Sequence, residues 1–296
     1  MANATMGRRK PFNIVKWFVS TGWRHLVGLA VCVFAIFPIL YIISTSLYPN
    51  NDINNTTALF QEISIANYVE LLAQDTRPFA RWYLNTVYIG IVTSVASVFI
   101  SALAAYAFSR LRFKGRRPGL LALILMQMFP SILGLVAIFS LMSDIGQVYP
   151  QIGLNTQLGL ILVYTGGALG VGTYLMYGFF NTVPKEIDEA ATIDGASHAR
   201  IFFTIILRLV APVLAVQMLL NYIGVTSDYI LASILLTDPN QLTLATGLQQ
   251  FISDPYSQDW SMFASGAVLA AIPSVILFLF LQRYITSGLT GGAVKG

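Results

Sequence analysis

The chain has 296 residues, of which 56% are hydrophobic and only 10% are charged. A soluble globular domain has about a quarter charged residues, so this composition excludes that class and indicates an integral membrane protein. The single cysteine, Cys32, excludes an intramolecular disulfide bond.

A membrane span requires roughly 20 mostly apolar residues, and six stretches of this kind predict an all-α protein with six transmembrane helices. We expect them near Leu26–Leu47, Thr86–Ser109, Gly119–Leu141, Leu158–Phe180, Ile205–Leu236 and Met262–Leu281. The fifth stretch is longer than one span requires, which predicts an approach segment or a broken helix. The first is too long for a signal peptide and lacks a cleavage site, so we expect it to be retained.

The basic residues indicate the orientation of the spans, because Lys and Arg are enriched in the cytoplasmic loops of membrane proteins. Fifteen of the 17 Lys and Arg residues lie in the leader, in the links between spans two and three and between spans four and five, and in the tail. The alternate links contain only Arg77 and Arg81. Both termini are therefore predicted to be cytoplasmic, with a leader over 1–25, a six-span domain over 26–283 containing a cytoplasmic loop over 182–204, and a tail over 284–296.

The net charge of +4 is explained by this topology and by attraction to anionic lipid headgroups. It therefore does not indicate a nucleic-acid partner. The basic stretch 110–117, Arg-Leu-Arg-Phe-Lys-Gly-Arg-Arg, lies against a predicted span end and is interpreted as a membrane anchor.

Prolines and glycines within the spans predict kinks and close helix packing. Gly166 and Gly170 form a G-x-x-x-G pattern, which predicts a helix face that a neighbouring helix can approach closely. Ordinary helix packing and rocking of the helices against one another both fit this pattern. The prolines of the spans are Pro38, Pro130, Pro212 and Pro273.

Few polar residues are predicted to lie at membrane depth: Asn85, Gln127, Asn221 and Asp228. An ionisable group is unfavourable in the bilayer, so Asp228 is expected to face the bundle interior or a water-filled cavity. Asn221 and Asp228 are therefore candidates for lining or gating a pathway. The alternative for Asp228 is a structural role or a position at the outer interface.

No catalytic constellation is found in the sequence. A phosphate-binding loop requires a Gly-Lys dipeptide, which is absent. His25 and His198 lie far apart, and no His, Cys or Glu spacing suits a metal ion. The chain is therefore expected to be a non-catalytic subunit without a cofactor of its own. If it moves a solute uphill, another chain supplies the ATPase, or an ion gradient drives it as in a secondary carrier.

The polar loop between spans four and five predicts a short helix. Pro184 suits a first helical turn, and Glu186, Asp188 and Glu189 are favourable at the positive end of the helix dipole. Gly195 can end the helix in the left-handed conformation, and Ser197 can cap the helix that follows. One small, mildly apolar face is expected over Ile187, Ala190, Ala191 and Ile193–Asp194. Docking on a partner and an ordinary interfacial loop both fit this face.

The same loop resembles the EAA motif of permease subunits in bacterial ABC importers. The resemblance rests on Glu189-Ala190-Ala191, Asp194-Gly195-Ala196, Phe202, Ile205, Leu207 and Pro212. Further segments are similar to the carbohydrate-uptake branch, in particular its MalG-type maltose/maltodextrin permeases. These segments are Asn85-Thr86, Ala105–Arg110 with Phe113–Gly115, Gln127–Pro130, Gly153–Thr156, Thr243–Gly247 followed by Gln249-Gln250, and 288–296. One departure is Leu207-Arg208, where the family often has Leu-Pro. We therefore expect a straighter or differently attached approach to span five.

The resemblance implies a type I ABC importer permease fold in the bacterial inner membrane, importing maltose or malto-oligosaccharides. It implies that the loop forms a coupling helix in a cleft of a cytoplasmic ATPase subunit, with Glu189 and Gly195 at the motif's Glu and Gly positions. The coupling residues are Glu186, Glu189, Ala190, Ala191, Asp194, Gly195 and Ala196. Importers of another sugar or of glycerol-phosphate are the nearest alternatives.

The resemblance also implies partners. These are a second permease subunit in a heterodimer, two ATPase subunits that hold ATP and Mg²⁺, an extracytoplasmic solute-binding protein, a sugar and membrane lipid. The external loop from Asp238 to Asp259 is the expected contact for the binding protein, with Gln249, Gln250 and Tyr256 as candidate residues.

Overall fold

The computed structural model of the protein describes residues 17–49 and 59–293. The first 16 residues of the predicted leader, including Arg8, Arg9, Lys10 and Lys16, and the last three residues of the tail lie outside this range. No strand occurs in the described residues. The α-helices are α1 (Trp23–Ser46), α2 (Ala66–Ala73), α3 (Phe79–Arg110), α4 (Arg116–Gln127), α5 (Leu135–Val148), α6 (Gln157–Gly166), α7 (Val171–Thr182), α8 (Lys185–Ile193), α9 (His198–Arg200), α10 (Leu207–Leu209), α11 (Ala211–Ser227), α12 (Ile230–Leu235), α13 (Leu244–Gln249) and α14 (Trp260–Ala293). Two π-helices, Phe18–Gly22 and Ile201–Ile206, precede α1 and α10, and 3-10 turns cover Ser131–Gly134 and Pro150–Ile152.

Three of the described helices are long and apolar enough to cross a membrane alone: Phe18–Ser46, Phe79–Arg110 and Trp260–Ile285. Three further helix pairs reach the required length together but are bent by more than 40° at a short break. They correspond to the predicted third, fourth and fifth spans. Up to six spans result if each bent pair counts as one.

The predicted third span, near Gly119–Leu141, is broken next to Pro130, where the sequence predicts a kink. α4 ends at Gln127, and the chain continues in a helix only after Pro130, with a bend of 85° between the two parts. Proline has no N–H to donate, and its ring pushes the preceding residue out of the helical conformation. The sequence predicts the position of this kink, and the structure shows how sharp the bend is.

The predicted fourth span is broken at its glycine cluster. α6 ends at Gly166, and α7 begins after Gly170, with a bend of 52° between them. The expectation of a G-x-x-x-G face is therefore wrong, because the two glycines lie on either side of the break. Gly170 has a different packing role, since a Cβ atom there would overlap the Gln127 side chain.

Side chains of α3 and α7 satisfy the backbone freed by this break. The Ser101 hydroxyl donates to the Ala168 carbonyl at 2.7 Å, and the Thr173 hydroxyl contacts the same oxygen at 3.3 Å. An unpaired carbonyl in the membrane interior is strongly unfavourable, so breaks in spans persist where neighbouring side chains supply partners.

The approach to the fifth span is bent, so the straighter of the two expected alternatives is not observed, and a different attachment stays a prediction. Residues His198–Leu209 and Ala211–Ser227 meet at 79°. Pro212 lies in the first turn of α11, and the chain leaves helical geometry at Val210. Arg208 lies four residues before Pro212 and is exposed on α10. The predicted breakage of the fifth stretch is confirmed.

Helix α3 lies at the centre of the fold and packs against α6, α7 and α11. Its buried face includes many small polar residues, among them Thr93, Ser94, Ser97 and Ser101, which allow helix backbones to approach closely. Two apolar clusters lie along it. One surrounds Phe79 and Trp82 near its start, and the other includes Ala102, Ala105 and Tyr106 near its end.

Gly247 tests the packing around the start of α3. A Cβ atom at Gly247 would overlap the indole ring of Trp82, which is fully buried. We expect Gly247→Ala to destabilise the protein by about 1–3 kcal/mol through overpacking, seen as a lower Tm in detergent. The control is Gly178→Ala, where a new Cβ meets no atom within 4 Å. An unchanged Tm for Gly247→Ala would contradict this packing.

Candidate functional site

Helix α8 begins and ends as its local sequence predicts. Pro184 precedes its first residue, and Glu186 and Asp188 lie in its first turn. At its end, the Gly195 N–H donates to the Thr192 carbonyl at 3.0 Å and the Ala196 N–H donates to the Ala191 carbonyl at 2.9 Å. This pair of bonds is a Schellman motif. The φ angle of Gly195 is +81°, so its predicted left-handed termination is confirmed.

Two faces of α8 have different environments. Ala191 is buried and Ile187 is partly buried against the apolar cluster at the end of α3. Ala190 and Ile193 point away from the protein, and Ile193 is 87% exposed. The single apolar face expected over these residues is therefore wrong, because helical spacing separates the two pairs.

The outward face of α8 carries the acidic residues of the motif. Glu186, Glu189, Ala190 and Ile193 are all exposed, and their spacing of three and four residues places them on one side of the helix. The exposed residues Asp194 and Gly195 follow directly, and Ala196 is partly buried. An acidic, small-residue surface is thus presented outward at one end of the helix bundle.

Arg110 attaches α8 to the end of α3, and the sequence alone did not reveal it. Its Nε lies 2.5 Å from Asp188 Oδ2, and its Nη2 donates to the Val183 carbonyl at 2.8 Å. The ion-pair contact lacks hydrogen-bond geometry, so the attraction is between charges. The Arg110 side chain is only 5% exposed. Its assignment to a membrane-anchoring stretch is therefore wrong, although Arg112, Lys114 and Arg117 are exposed.

The Asp188 carboxylate lies in a mixed electrostatic environment. Burial raises the pKa of Asp188 above its usual value, whereas the charges of Arg110 and His198 lower it. Glu189, the next residue, also raises the pKa of Asp188. The Arg110 guanidinium thus stabilises the ionised form of Asp188, which burial disfavours. Asp188 directly precedes Glu189 of the motif. The sequence predicts only that the Asp188 charge stabilises the first turn of the helix.

The chain after α8 packs closely on the same end of α3. The Ser197 hydroxyl accepts from the Arg200 N–H at 3.4 Å, as its predicted capping role requires. The π-helix Ile201–Ile206 then places Phe202 in edge contact with Tyr106, with ring centroids 5.1 Å apart. π-Helical turns widen the helix locally and occur frequently at functional sites.

The other end of α3 holds the loop from Asp238 to Asp259, which the sequence predicts to be external. Arg81 Nη1 donates to Asn240 Oδ1 at 2.7 Å, and Trp82 Nε1 donates to the Pro239 carbonyl at 2.7 Å. Asn85 Nδ2 donates to the carbonyls of Asn240 and Leu242, both at 3.0 Å. The base of the loop is therefore hydrogen-bonded to one end of α3, and α8 is attached to the other end.

The candidate residues of the external loop lie beyond this pinned base. Gln249 ends α13 and is partly buried, whereas Gln250 is exposed and Tyr256 is 99% exposed. A turn at Asp254 presents Tyr256. Hydrogen bonds from the Tyr256 N–H and the Ser257 hydroxyl lower the pKa of the Asp254 carboxyl.

The two pathway candidates do not meet in one site. Asn221 donates to the Gln217 carbonyl within its own helix at 2.9 Å. Asp228 accepts from the Tyr164 hydroxyl at 2.6 Å and from the Ala232 N–H at 3.3 Å. Asp228 thereby joins α6 to the break between α11 and α12. No group of three or more His, Cys, Asp or Glu is placed to hold a metal ion in the ranges 17–49 and 59–293.

Comparison with known proteins identifies the family. The profile of the family described as "Binding-protein-dependent transport system inner membrane component" matches residues 97–291, which include α8 and all of the EAA motif. This chain belongs to that family. It is therefore a permease component of the inner membrane.

Individual relatives of this permease are sugar transport proteins. The maltodextrin transport system permease MdxG of Bacillus subtilis is 46% identical over 222 residues, 75% of this chain and 78% of that protein. The maltose/maltodextrin permease MalG of Vibrio vulnificus is 39% identical over 92% of this chain and 95% of its own length. The galactooligosaccharides permease GanQ of Bacillus subtilis is 35% identical over 95% and 98%, respectively.

Solved structures share the fold of this permease. A chain of a bacterial ABC transporter involved in the import of the acidic polysaccharide alginate aligns with a TM-score of 0.76 and 23% identity. The alignment covers 93% of this chain and 99% of that one. A second alginate transporter chain, from a complex with a pentasaccharide-bound periplasmic protein, has a TM-score of 0.65 and 14% identity.

The left-handed conformation of Gly195 predicts which substitutions α8 tolerates. An L-residue in this conformation costs roughly 1–2 kcal/mol, and Asn pays less than a β-branched residue. We expect Gly195→Val to weaken the Schellman motif. Hydrogen exchange at the backbone amides of residues 195 and 196 should then be faster. Gly195→Asn, the matched control, should exchange nearly as slowly as the native chain. Equal exchange in both variants would contradict the assigned geometry.

Proposed function

We propose that this permease is a transmembrane subunit of an ATP-driven importer of maltose and malto-oligosaccharides, and that α8 couples ATPase closure to alternating access. The observation that carries the proposal is the outward face of α8. It presents Glu186, Glu189 and Ala190 to the surroundings while the helix remains attached to the end of the central helix α3 by Arg110.

The topology proposed for this function has six spans and cytoplasmic termini. Three long helices and three bent pairs supply the required lengths. The distribution of Lys and Arg supports the orientation. In this orientation, α8 faces the cytoplasm and the loop from Asp238 to Asp259 faces outward. That arrangement agrees with their attachment at opposite ends of α3.

Coupling requires a partner that moves when ATP binds. We propose two cytoplasmic ATPase subunits that hold ATP and Mg²⁺, with the outward face of α8 in a cleft of one of them. Glu189 would pair with basic groups of the cleft, and Ala190 and Ala196 permit close approach because they are small. A second permease subunit completes the pathway as a heterodimer.

An extracytoplasmic solute-binding protein would deliver the sugar to the loop at the other end of α3. Gln249, Gln250 and Tyr256 are the proposed contacts. The nearly complete exposure of Tyr256 and the hydrogen-bonded turn at Asp254 support this role, since a backbone already held in a turn loses less conformational entropy on binding. Asn221 stays a candidate for lining the pathway, whereas the bond between Asp228 and Tyr164 favours a structural role for Asp228.

The substrate class rests on the relatives. MdxG and MalG, named for maltodextrin and maltose transport, are 46% and 39% identical to this chain. GanQ, named for galactooligosaccharides, is 35% identical over 95% of it. We therefore propose α-linked glucose oligosaccharides as the substrate, with galactooligosaccharides as the second candidate.

Reversing the charge on α8 tests the coupling function. We expect Glu189→Lys and Gly195→Pro to insert into the membrane normally but to lose ATP-dependent sugar uptake. The first places a positive charge against a basic cleft, and the second removes an N–H bond of the Schellman motif. Glu70→Lys is the control, because Glu70 is an exposed carboxylate on α2. Full uptake by both α8 variants would refute the coupling assignment, and uptake without ATP would favour an ion-coupled carrier.

Stimulation of ATP hydrolysis tests the substrate. The complex is purified with its partner subunits and reconstituted with its solute-binding protein, loaded either with maltotriose or with a galactooligosaccharide. We expect the maltotriose-loaded protein to stimulate hydrolysis and the other to leave it near the basal rate. Stimulation by the galactooligosaccharide alone would assign the second candidate instead.

A further inference from the structure

Arg110 lies where the 32-residue helix α3 meets α8. It is the last residue of α3, and its guanidinium contacts two points of the α8 segment: the Asp188 carboxylate within the helix and the Val183 carbonyl just before it. These contacts fix both the position of α8 and the direction in which the chain arrives from α7. No other described side chain makes both contacts.

The apolar attachment of α8 is small by comparison. Ala191 is the one buried residue of the helix, and Ile187 is partly buried. An alanine buries a single methyl group, so the hydrophobic effect alone holds α8 weakly. A charge pair with side chains only 5% and 17% exposed is poorly screened by solvent. Loss of one partner leaves the other charge buried and uncompensated, which is strongly unfavourable.

The opposite end of α3 is fixed as firmly. Trp82 and Asn85 bind three carbonyls of the loop at Pro239, Asn240 and Leu242. The helix between these residues and Arg110 belongs to an uninterrupted element of 32 residues without an internal proline. At 1.5 Å per residue, that element is about 48 Å long. α8 and the base of the external loop are therefore attached to the two ends of one helix.

We propose that Arg110 is a positioning residue that locks α8 to α3, so that α8, α3 and the base of the external loop move as one body. This inference rests on the proposed coupling function of α8. A force applied to α8 is passed to α3 through the ion pair with Asp188 and the bond to Val183. Without Arg110, α8 moves on its own and the external loop receives no displacement.

The test uses the assembled transporter with its ATPase subunits and binding protein. Arg110→Gln and Asp188→Asn each remove the charge pair. Arg112→Gln is the matched control, because Arg112 is exposed and lies two residues away. Hydrogen exchange is measured on residues 185–200. We expect exchange at least about tenfold faster in Arg110→Gln and Asp188→Asn, and exchange as slow as in the native chain for Arg112→Gln.

Coupling is measured on the same samples. We expect both pair variants to lose most of the ATP hydrolysis that the maltotriose-loaded binding protein stimulates, while basal hydrolysis persists. The double variant Arg110→Asp with Asp188→Arg restores an opposite-charge pair and should recover part of the stimulation and of the exchange protection. Asp188→Asn, which preserves side-chain shape, serves where Arg110→Gln fails to assemble.

The outcomes separate this inference from the proposed function. Native-like exchange in residues 185–200 of both pair variants would overturn the positioning role of Arg110. Faster exchange with unchanged stimulation would support the positioning role but contradict the coupling function of α8. Faster exchange with lost stimulation, partly recovered by the charge exchange, supports both.

Discussion

The structure depends on one constraint of the membrane interior, where water is absent. Each break in a helix frees backbone N–H and C=O groups, and these need new partners within the protein. Helix α3 supplies several of them. Ser101 binds the carbonyl at the break of the fourth span, and Thr86 accepts the N–H of Leu244 at 2.6 Å. Asn85 binds two carbonyls of the external loop, and Arg110 binds the carbonyl before α8. One helix thus stabilises irregular backbone along its whole length.

This arrangement explains why the two surfaces proposed to be functional lie where they do. The α8 segment and the external loop are irregular connections that would have no fixed position if only local sequence determined them. Polar side chains at the two ends of α3 give each a defined place. A short helix with one buried alanine can then present an acidic outward face, and a long loop can present Tyr256 without being flexible at its base.

Family membership and geometry carry different parts of the functional conclusion. The match over residues 97–291 and relatives covering more than nine tenths of the chain establish a transport permease of the inner membrane. The shared fold of the alginate transporter chains agrees with this assignment. Neither assigns a role to Arg110, whose two contacts are visible only in the folded chain.

The sequence by itself determined the membrane class, the helical architecture and the bounds of α8, because these depend on composition and on the conformational preferences of neighbouring residues such as Pro184 and Gly195. The tertiary structure decided how sharply the third span bends, that the fourth span breaks at its glycines, which face of α8 is buried, and that Arg110 pairs with Asp188. A pattern of apolar residues indicates which segments lie in the membrane, but it does not indicate whether a helix is continuous. A buried charge likewise finds its partner only when distant parts of the chain come together.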